Sequence, residues 1–173
     1  MTSATNNSVR EALLHAARAI VRGSSIYELS IAKMAAEAGL ARPTAYRYFS
    51  HPRDVVSAIA EETINEIRSM IRDCNYSEKP AAYARAAVRV FTADSRVNRQ
   101  VILHSSVQAQ DGKWIAQDNT PESLFVDWGI DPNVARTSLT YFRGAMYSWA
   151  AGFFTDEQFS EETERAISMR ESE

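Results

Sequence analysis

A short stretch of the sequence, residues 42–48, concentrates side chains that donate hydrogen bonds. It contains two arginines, a threonine and two tyrosines beside a proline, namely Arg42, Pro43, Thr44, Tyr46, Arg47 and Tyr48. Because an arginine can bond O6 and N7 of guanine together, Arg42 at the start of the stretch is a candidate for reading DNA bases. The hydroxyl groups of Thr44, Tyr46 and Tyr48 suit the phosphate oxygens of a nucleic-acid backbone.

Two short helices separated by a glycine are predicted to position these residues. Ser30 is a suitable N-cap for a helix that ends at Gly39, and residues 42–48 form the next helix. This layout is typical of a helix-turn-helix, in which one helix packs and the other enters the DNA major groove. Ser30 and Lys33, at the start of the supporting helix, are further candidates for phosphate contacts. The alternative is an ordinary helical hairpin whose tyrosines pack partly against their neighbours.

Charge is unevenly distributed along the chain. The net charge is −3, but residues 1–56 carry seven Lys and Arg residues against four Asp and Glu residues. The remaining residues carry 12 basic and 18 acidic side chains. A basic N-terminal part suits contact with phosphates, and an acidic remainder suits a body that does not touch DNA.

Composition favours a globular protein of the cytoplasm. The apolar share is 45% and the aromatic share is 10%, which is enough to form a core. No apolar run approaches the roughly 20 residues of a membrane span, and residues 1–8 lack the pattern of a signal peptide. The single cysteine, Cys74, cannot form an intramolecular disulfide, which fits a reducing compartment.

Residue types typical of catalysis or metal binding do not cluster in the sequence. No acid–base pair, nucleophile–base spacing or phosphate-binding loop is recognisable, and Cys74 has no neighbouring base or positive charge. His15, His51 and His104 are too far apart in the sequence for metal-ligand spacing. The sequence therefore predicts no enzyme activity, no cofactor and no metal.

Helical periodicity runs through nearly the whole chain and predicts an all-α protein. The first 50 residues are predicted to form a three-helix helix-turn-helix domain, and residues 51–173 a larger helical bundle for ligand binding and dimerisation. The first helix shows its apolar periodicity from Val9. The later helices are predicted at 52–75, 80–94, 97–108, from 120, 132–154 and 157–169, with starts marked by prolines and by a capping box at Thr155–Gln158.

Four segments agree in residue type and spacing with one known family. They are residues 10–18, 34–39, 43–49 and 54–56, within roughly the first third of the chain. On these segments the sequence resembles TetR-type bacterial transcriptional regulators. The resemblance implies that Arg42 and Thr44 lie in the DNA groove, and that Tyr46, Tyr48 and Ser30 contact phosphates.

Two positions depart from the pattern of that family. Ala41 stands where the family usually has a Ser or Thr cap, a loss of about 1 kcal/mol at that helix end. Pro52 replaces a common lysine that often meets a phosphate, and Arg53 is the candidate to take over that contact.

The helix predicted at 132–154 is apolar on two faces and therefore needs two partners. One stripe contains Leu139, Phe142, Met146, Trp149 and Phe153, and the other contains Thr140, Gly144, Tyr147, Ala151 and Phe154. The second stripe is the candidate dimer interface, and the alternative is a central helix of a monomeric bundle. The resemblance implies a homodimer paired through the helices at 132–154 and 157–169, and a twofold dimer predicts a palindromic operator.

Aromatic side chains mark a candidate ligand site in the larger domain. The candidates are Phe91, His104, Gln108, Trp114, Phe125, Trp128, Tyr141 and Phe142. Polar members such as His104 would orient a small molecule between apolar walls. The resemblance to TetR-type regulators implies such a molecule, because members of that family often bind a small-molecule inducer in this region. The alternative for each of them is ordinary core packing, because aromatic side chains mostly fill cores.

These observations together predict a cytoplasmic, homodimeric transcriptional regulator that acts as a repressor. A small, largely apolar ligand of unknown identity would release it from a palindromic DNA operator. One alternative is a dimeric DNA-binding regulator without an inducer, controlled by a protein partner. A small helical enzyme that uses the body pocket is the other alternative.

Overall fold

The computed structural model describes residues 2–75, 77–110 and 127–171. Within these residues the chain forms α-helices and turns and no strand, which confirms the all-α prediction. The helices are α1 (Thr2–Gly23), α2 (Ile31–Glu37), α3 (Arg42–Tyr48), α4 (Pro52–Met70), α5 (Lys79–Ala93), α6 (Ser95–Gln110), α7 (Pro132–Ala150) and α8 (Asp156–Glu171), with a 3₁₀ turn at Ile26–Glu28. The helix predicted from residue 120 starts outside the described residues.

The chain divides into two compact units, an N-terminal unit Met1–Glu62 and a C-terminal unit Thr63–Glu173. The division falls within α4, whereas the boundary predicted from the sequence lies after residue 50.

The core of the N-terminal unit is built from one apolar face of each helix. Leu13, Ala17 and Val21 of α1 follow at intervals of four residues and are fully buried, as helical periodicity requires. Fully buried residues of the other helices complete this core, namely Met34, Ala35, Ala45, Val55 and Ile59.

A shared carboxylate ties α1 to α4 at the edge of this unit. Glu62 Oε1 accepts a hydrogen bond from Arg10 Nη1 at 3.4 Å, and Glu62 Oε2 accepts one from Arg18 Nη2 at 3.5 Å. All three side chains are partly exposed, so water screens each of these pairs.

The core of the C-terminal unit contains a continuous series of aromatic rings. Trp149 of α7 is fully buried, and its ring centroid lies 5.1 Å from Phe159 of α8 and 6.2 Å from Phe91 of α5. Phe142 continues the series at 6.1 Å from Phe159. The rings thereby join α5, α7 and α8 across one packed interior.

Asp156 joins three helices of the C-terminal unit through hydrogen bonds. Its carboxylate accepts from Trp149 Nε1 at 2.6 Å, from Ser95 Oγ at 2.9 Å and from Arg99 Nη2 at 3.1 Å. Burial by itself would raise the pKa of Asp156, but these donors and the charge of Arg99 outweigh it and lower the pKa. The sequence predicted the start of α8 beside this residue but gave no sign of its partners.

A buried asparagine completes the C-terminal end of α5. The side-chain amide of Asn98 donates to the carbonyl of Val90 at 3.1 Å and to the carbonyl of Phe91 at 3.0 Å. Both carbonyls belong to the last four of the helix, which have no partner within the helix itself. Asn98 is 3% exposed, so its amide donates hydrogen bonds at a position that water reaches poorly.

The end of α7 differs from the prediction. The helix ends at Ala150 instead of residue 154, because Gly152 adopts a left-handed backbone with φ +85°. The Gly152 amide donates to Trp149 O and the Phe153 amide to Ser148 O, which is a Schellman motif. Phe153, predicted to lie in the first apolar stripe, is therefore beyond the helix and 80% exposed.

Helix α1 starts earlier than the apolar periodicity of the sequence predicts. This helix begins at Thr2, seven residues before the periodic pattern that starts at Val9. All of the added residues except Ala4 are polar, so they contain no apolar repeat that would predict a helix.

Candidate functional site

The turn before α3 is a second Schellman motif, built around Gly39. The Leu40 amide donates to Ala35 O at 2.8 Å, and the Gly39 amide donates to Ala36 O at 3.1 Å. Gly39 has φ +66°, a left-handed conformation that glycine adopts without strain. This turn ends α2 and redirects the chain into α3, as the helix-turn-helix pattern predicts.

Helix α3 packs one face and exposes the other. Ala45 is fully buried and Phe49 is 5% exposed, and these two residues anchor the helix. The Ala41 side chain makes no capping hydrogen bond, so α3 lacks the N-cap that a Ser or Thr would supply. The predicted DNA-binding residues Arg42, Pro43, Tyr46 and Arg47 are exposed, and Thr44 and Tyr48 are half-buried.

Positive charge on the exposed face of α3 is not neutralised within the part of the chain that the structure describes. Neither Arg42 nor Arg47 has an ion pair there, and Tyr46 places a 53% exposed ring between them in sequence. Exposed guanidinium groups beside a phenol hydroxyl form a donor-rich, cationic surface. Such a surface suits an extended polyanion.

The start of α2 adds two polar groups to the N-terminal unit. The Ser30 hydroxyl accepts a hydrogen bond from the Lys33 amide at 3.2 Å, which caps the helix and leaves the hydroxyl hydrogen available to a phosphate. The ammonium group of Lys33 is exposed and lies 3.6 Å from Glu28 Oε2. This exposed pair is weak, so a phosphate can compete for the lysine.

Arg53 lies in the first turn of α4 and is exposed. Its Nε atom is 3.7 Å from Asp54 Oδ1, while Asp54 Oδ2 accepts a hydrogen bond from the His51 amide at 2.9 Å. Asp54 thus fixes the beginning of α4 and partly balances the charge of Arg53.

An exposed tyrosine of the N-terminal unit was missed by the sequence interpretation. Tyr27 lies in the 3₁₀ turn before α2 and is 78% exposed. A capping box formed by Ser25 and Glu28 holds this turn, with the Tyr27 amide donating to Ser25 Oγ at 3.3 Å. The spacing of Ser25 and Glu28 is the sequence signal that could have located the turn.

Comparison with known proteins identifies the fold through solved structures. No family model matches the sequence, and no curated protein matches it either. Among solved structures, a TetR transcriptional regulator from Rhodococcus sp. RHA1 matches with a TM-score of 0.70 at 18% identity, covering 95% of this chain and 96% of that one. The chain has the TetR fold.

A second structure with the TetR fold supports the assignment. Thermus thermophilus FadR, a TetR-family transcriptional repressor in complex with lauroyl-CoA, matches with a TM-score of 0.61 and 16% identity. The match covers 93% of this chain and 92% of that one. Both neighbours are transcriptional regulators, and both align along nearly their whole length.

The predicted ligand residues occupy several environments within the TetR fold. Phe91 and Phe142 belong to the packed aromatic series, and Trp128 is half-buried with its ring 6.2 Å from Tyr83. The Tyr141 hydroxyl donates to Glu162 of α8, and this hydrogen bond raises the pKa of Tyr141. Gln108 lies in α6, and Trp114 and Phe125 fall outside the described residues.

His104 is half-buried on α6. Both of its ring nitrogens are shielded from solvent, and burial lowers the pKa of the imidazole. The ring is therefore neutral over a wider pH range than an exposed histidine.

A small cavity lies between α5, α7 and α8. Its volume is about 30 Å³, and Tyr83, Ser138 and Phe142 form part of a mostly apolar wall. This space holds about one or two water molecules. In this conformation it is far smaller than the roughly 300 Å³ at which ligand pockets begin.

The predicted dimer residues form a surface on α7 and just beyond it. Thr140, Gly144 and Ala151 are exposed, and Tyr147 and Phe154 are half-buried. A Cβ atom built on Gly144 would meet nothing within 4 Å, so this position is open to an approaching surface.

The described residues contain no group of three or more His, Cys, Asp or Glu residues that could hold a metal ion. None of their helices is both long and apolar enough to cross a membrane.

Proposed function

We propose that the protein is a homodimeric, DNA-binding transcriptional repressor that a small, largely apolar ligand releases from a palindromic operator. The observation that carries this proposal is the exposed Arg and Tyr face of α3, set on a helix-turn-helix whose turn is fixed by Gly39. Both solved structures described above are transcriptional regulators, which supports the same function. A repressor of this kind would act in the cytoplasm.

In this proposal, Arg42 and Thr44 contact base edges and Tyr46 and Tyr48 contact phosphates. Arg47, Arg53 and Lys33 add positive charge along the backbone, and Ser30 at the start of α2 offers its hydroxyl group to a phosphate. Residues 1–50 would serve as the DNA-binding domain and residues 51–173 as the ligand-binding and dimerisation domain.

Dimerisation would use the exposed stripe of α7 together with α8. A twofold dimer presents two α3 helices, so the operator would contain two half-sites about one helical turn or more apart. Sedimentation of the Gly144→Glu variant would test this interface. A Cβ atom built at this position meets no heavy atom within 4 Å, so the variant should fold while it places a charge in the interface.

The DNA-binding part is tested by selecting binding sites from random DNA and then measuring affinities by gel shift. Arg42→Ala should lose preference for the selected sequence, and Tyr46→Phe should weaken binding to all sequences by a similar factor. Arg89→Gln is the matched control, because Arg89 is an exposed arginine on α5 of the C-terminal unit. Unchanged binding in both α3 variants would contradict the proposal.

A second candidate is a dimeric regulator controlled by a protein partner, without a small-molecule inducer. Such a regulator needs no ligand-sized space, and the cavity of about 30 Å³ between α5, α7 and α8 is compatible with it. Thermus thermophilus FadR was solved with lauroyl-CoA, which instead supports a ligand with a long apolar part. Thermal-shift screening with such amphipathic ligands would separate the two candidates.

A further inference from the structure

Phe153 is the most exposed large apolar side chain of the described residues, at 80%. It lies in the turn between α7 and α8. A phenylalanine in water forgoes the free energy that its burial would provide, and buried aromatic rings are common anchors of protein interfaces. Single exposed apolar residues are also ordinary on protein surfaces, so the surroundings of Phe153 decide its role.

The turn that carries Phe153 is fixed by hydrogen bonds on both sides. The Phe153 amide donates to Ser148 O at 2.9 Å within the Schellman motif at the end of α7. From α6, Arg99 Nη2 donates to Phe154 O at 3.3 Å and to Asp156 Oδ1 at 3.1 Å. The ring therefore extends into solvent from an ordered backbone, which lowers the entropy cost of binding a partner.

The two helices that meet at this turn carry opposite charge. Helix α7 contains two arginines and no acidic residue, a net charge of +2, whereas α8 contains six acidic residues and two arginines, a net charge of −4. A twofold interface brings the same surface of each subunit together, so that surface must complement itself. A hairpin with one cationic and one acidic helix satisfies this requirement when α7 of each copy faces α8 of the other.

Some charges of the hairpin are already used within the chain. Carboxylates of α8 pair with arginines of α5, α6 and α8 itself. In the part of the chain that the structure describes, three exposed charges of the hairpin form no ion pair, namely Arg136 of α7 and Glu157 and Glu161 of α8. Glu157 and Glu161 are four residues apart and share one face of the helix.

We propose that Phe153 is the anchor by which a second copy of this chain packs on the α7–α8 hairpin, with the cationic face of α7 against the acidic face of α8 in the other copy. This inference rests on the proposed function, because it names the residue that holds the proposed dimer together. The open position at Gly144, where a built Cβ atom meets no heavy atom within 4 Å, lets the second copy approach α7 closely.

The first test measures the dimer dissociation constant of the full chain by fluorescence-detected sedimentation. Phe153→Ala should raise it about 100-fold, because each of the two symmetry-related rings contributes about tenfold. Phe153→Tyr keeps the ring and should stay within about threefold of wild type. Val107→Ala is the matched control, since Val107 is 52% exposed on α6, outside the hairpin. Circular dichroism confirms that each variant is folded.

The second test exchanges the charges of the two helices. Arg136→Glu makes α7 repel α8 of another copy, and the double variant Glu157→Arg/Glu161→Arg does the same with the opposite signs. When the two variants are mixed, each α7 again faces an α8 of opposite charge. The mixed dimer should therefore form about tenfold more tightly than either variant with itself. A mixture without this preference would overturn the pairing of α7 with α8 of the second copy.

The outcomes separate this inference from the proposed function. A folded Phe153→Ala variant that dimerises like wild type, or an equal loss in Val107→Ala, would overturn the inference. A wild-type chain that stays monomeric would refute it together with the proposed dimer. Gel shifts with the selected operator are run in parallel. A Phe153-dependent dimer in a chain that binds no DNA would refute the proposed regulator and keep the anchor, whereas DNA binding by a dimer that does not need Phe153 would refute only the anchor.

Discussion

Replacing Gly39 by alanine should damage the helix-turn-helix through backbone strain alone. Gly39 has φ +66°, and a Cβ atom built there meets no heavy atom within 4 Å. A steric clash therefore contributes nothing to the loss of stability. The loss comes from holding an alanine in the left-handed backbone conformation. The substitution thus isolates the backbone requirement of the turn between α2 and α3.

The expected magnitude follows from two opposing effects. A non-glycine residue in the left-handed region costs about 1–2 kcal/mol. Alanine also restricts the unfolded chain, which returns about 0.4–1 kcal/mol of stability. The net loss is therefore about 1 kcal/mol, which lowers Tm by about 4–8 °C for a unit the size of Met1–Glu62.

The assay combines thermal unfolding followed by circular dichroism with gel shifts on the selected operator. If the turn relieves its strain by reorienting α3, DNA affinity should fall about three- to tenfold. Gly39→Asn should lose less stability than Gly39→Ala, because asparagine tolerates the left-handed region better than alanine. Gly152→Ala is the matched control: Gly152 has φ +85° in the other Schellman motif, and a Cβ atom built there would lie 4.0 Å from Arg99 Nη1.

Three outcomes would contradict a role for backbone strain at Gly39. Wild-type stability in Gly39→Ala would show that the turn does not need a left-handed residue. An equal loss in Gly39→Asn would show that strain is not the cause. If Gly152→Ala weakened DNA binding as much as Gly39→Ala, the effect could not be assigned to the helix-turn-helix.

Three further predictions concern stability. Ala41→Ser should add the missing N-cap of α3 and raise the free energy of unfolding by about 1 kcal/mol in urea titrations, and an unchanged midpoint would contradict it. Asn98→Leu leaves the carbonyls of Val90 and Phe91 without their donor and should cost about 2–4 kcal/mol in the same titrations; a loss below about 0.5 kcal/mol would show that water replaces the amide. The pKa of the Asp156 carboxyl is lowered in the folded protein, so its charged form contributes stability above pH about 4, and this contribution disappears as the pH falls through the folded-state pKa. The stability difference between wild type and Asp156→Asn should therefore shrink in acid. A stability difference that does not depend on pH would contradict this prediction.

Local signals in the sequence predicted the N-terminal unit well. Ser30 caps α2 and Gly39 ends it, as predicted, since both features depend on neighbours a few residues away. The all-α fold followed from periodicity in the same way. The roles assigned to the exposed residues of α3 stay predictions.

Features built from distant parts of the chain were not predictable. Asp156 receives hydrogen bonds from Ser95 and Arg99, about 60 residues earlier, and no spacing rule connects them. The amide of Asn98 reaches back to α5 for the same reason. The predicted end of α7 was wrong because the apolar repeat continues past Gly152, whereas the left-handed glycine ends the helix at Ala150.

The shared carboxylate of Glu62 makes the N-terminal unit unequally tolerant of mutation. Loss of Arg10 or Arg18 leaves the other arginine in place, whereas loss of Glu62 removes both links between α1 and α4 at once. It also removes one negative charge from the part of the chain proposed to face DNA, which strengthens attraction to any phosphate backbone. Under the proposed function, Glu62 therefore protects selectivity: a variant without it would hold DNA of every sequence more tightly and distinguish its operator less well.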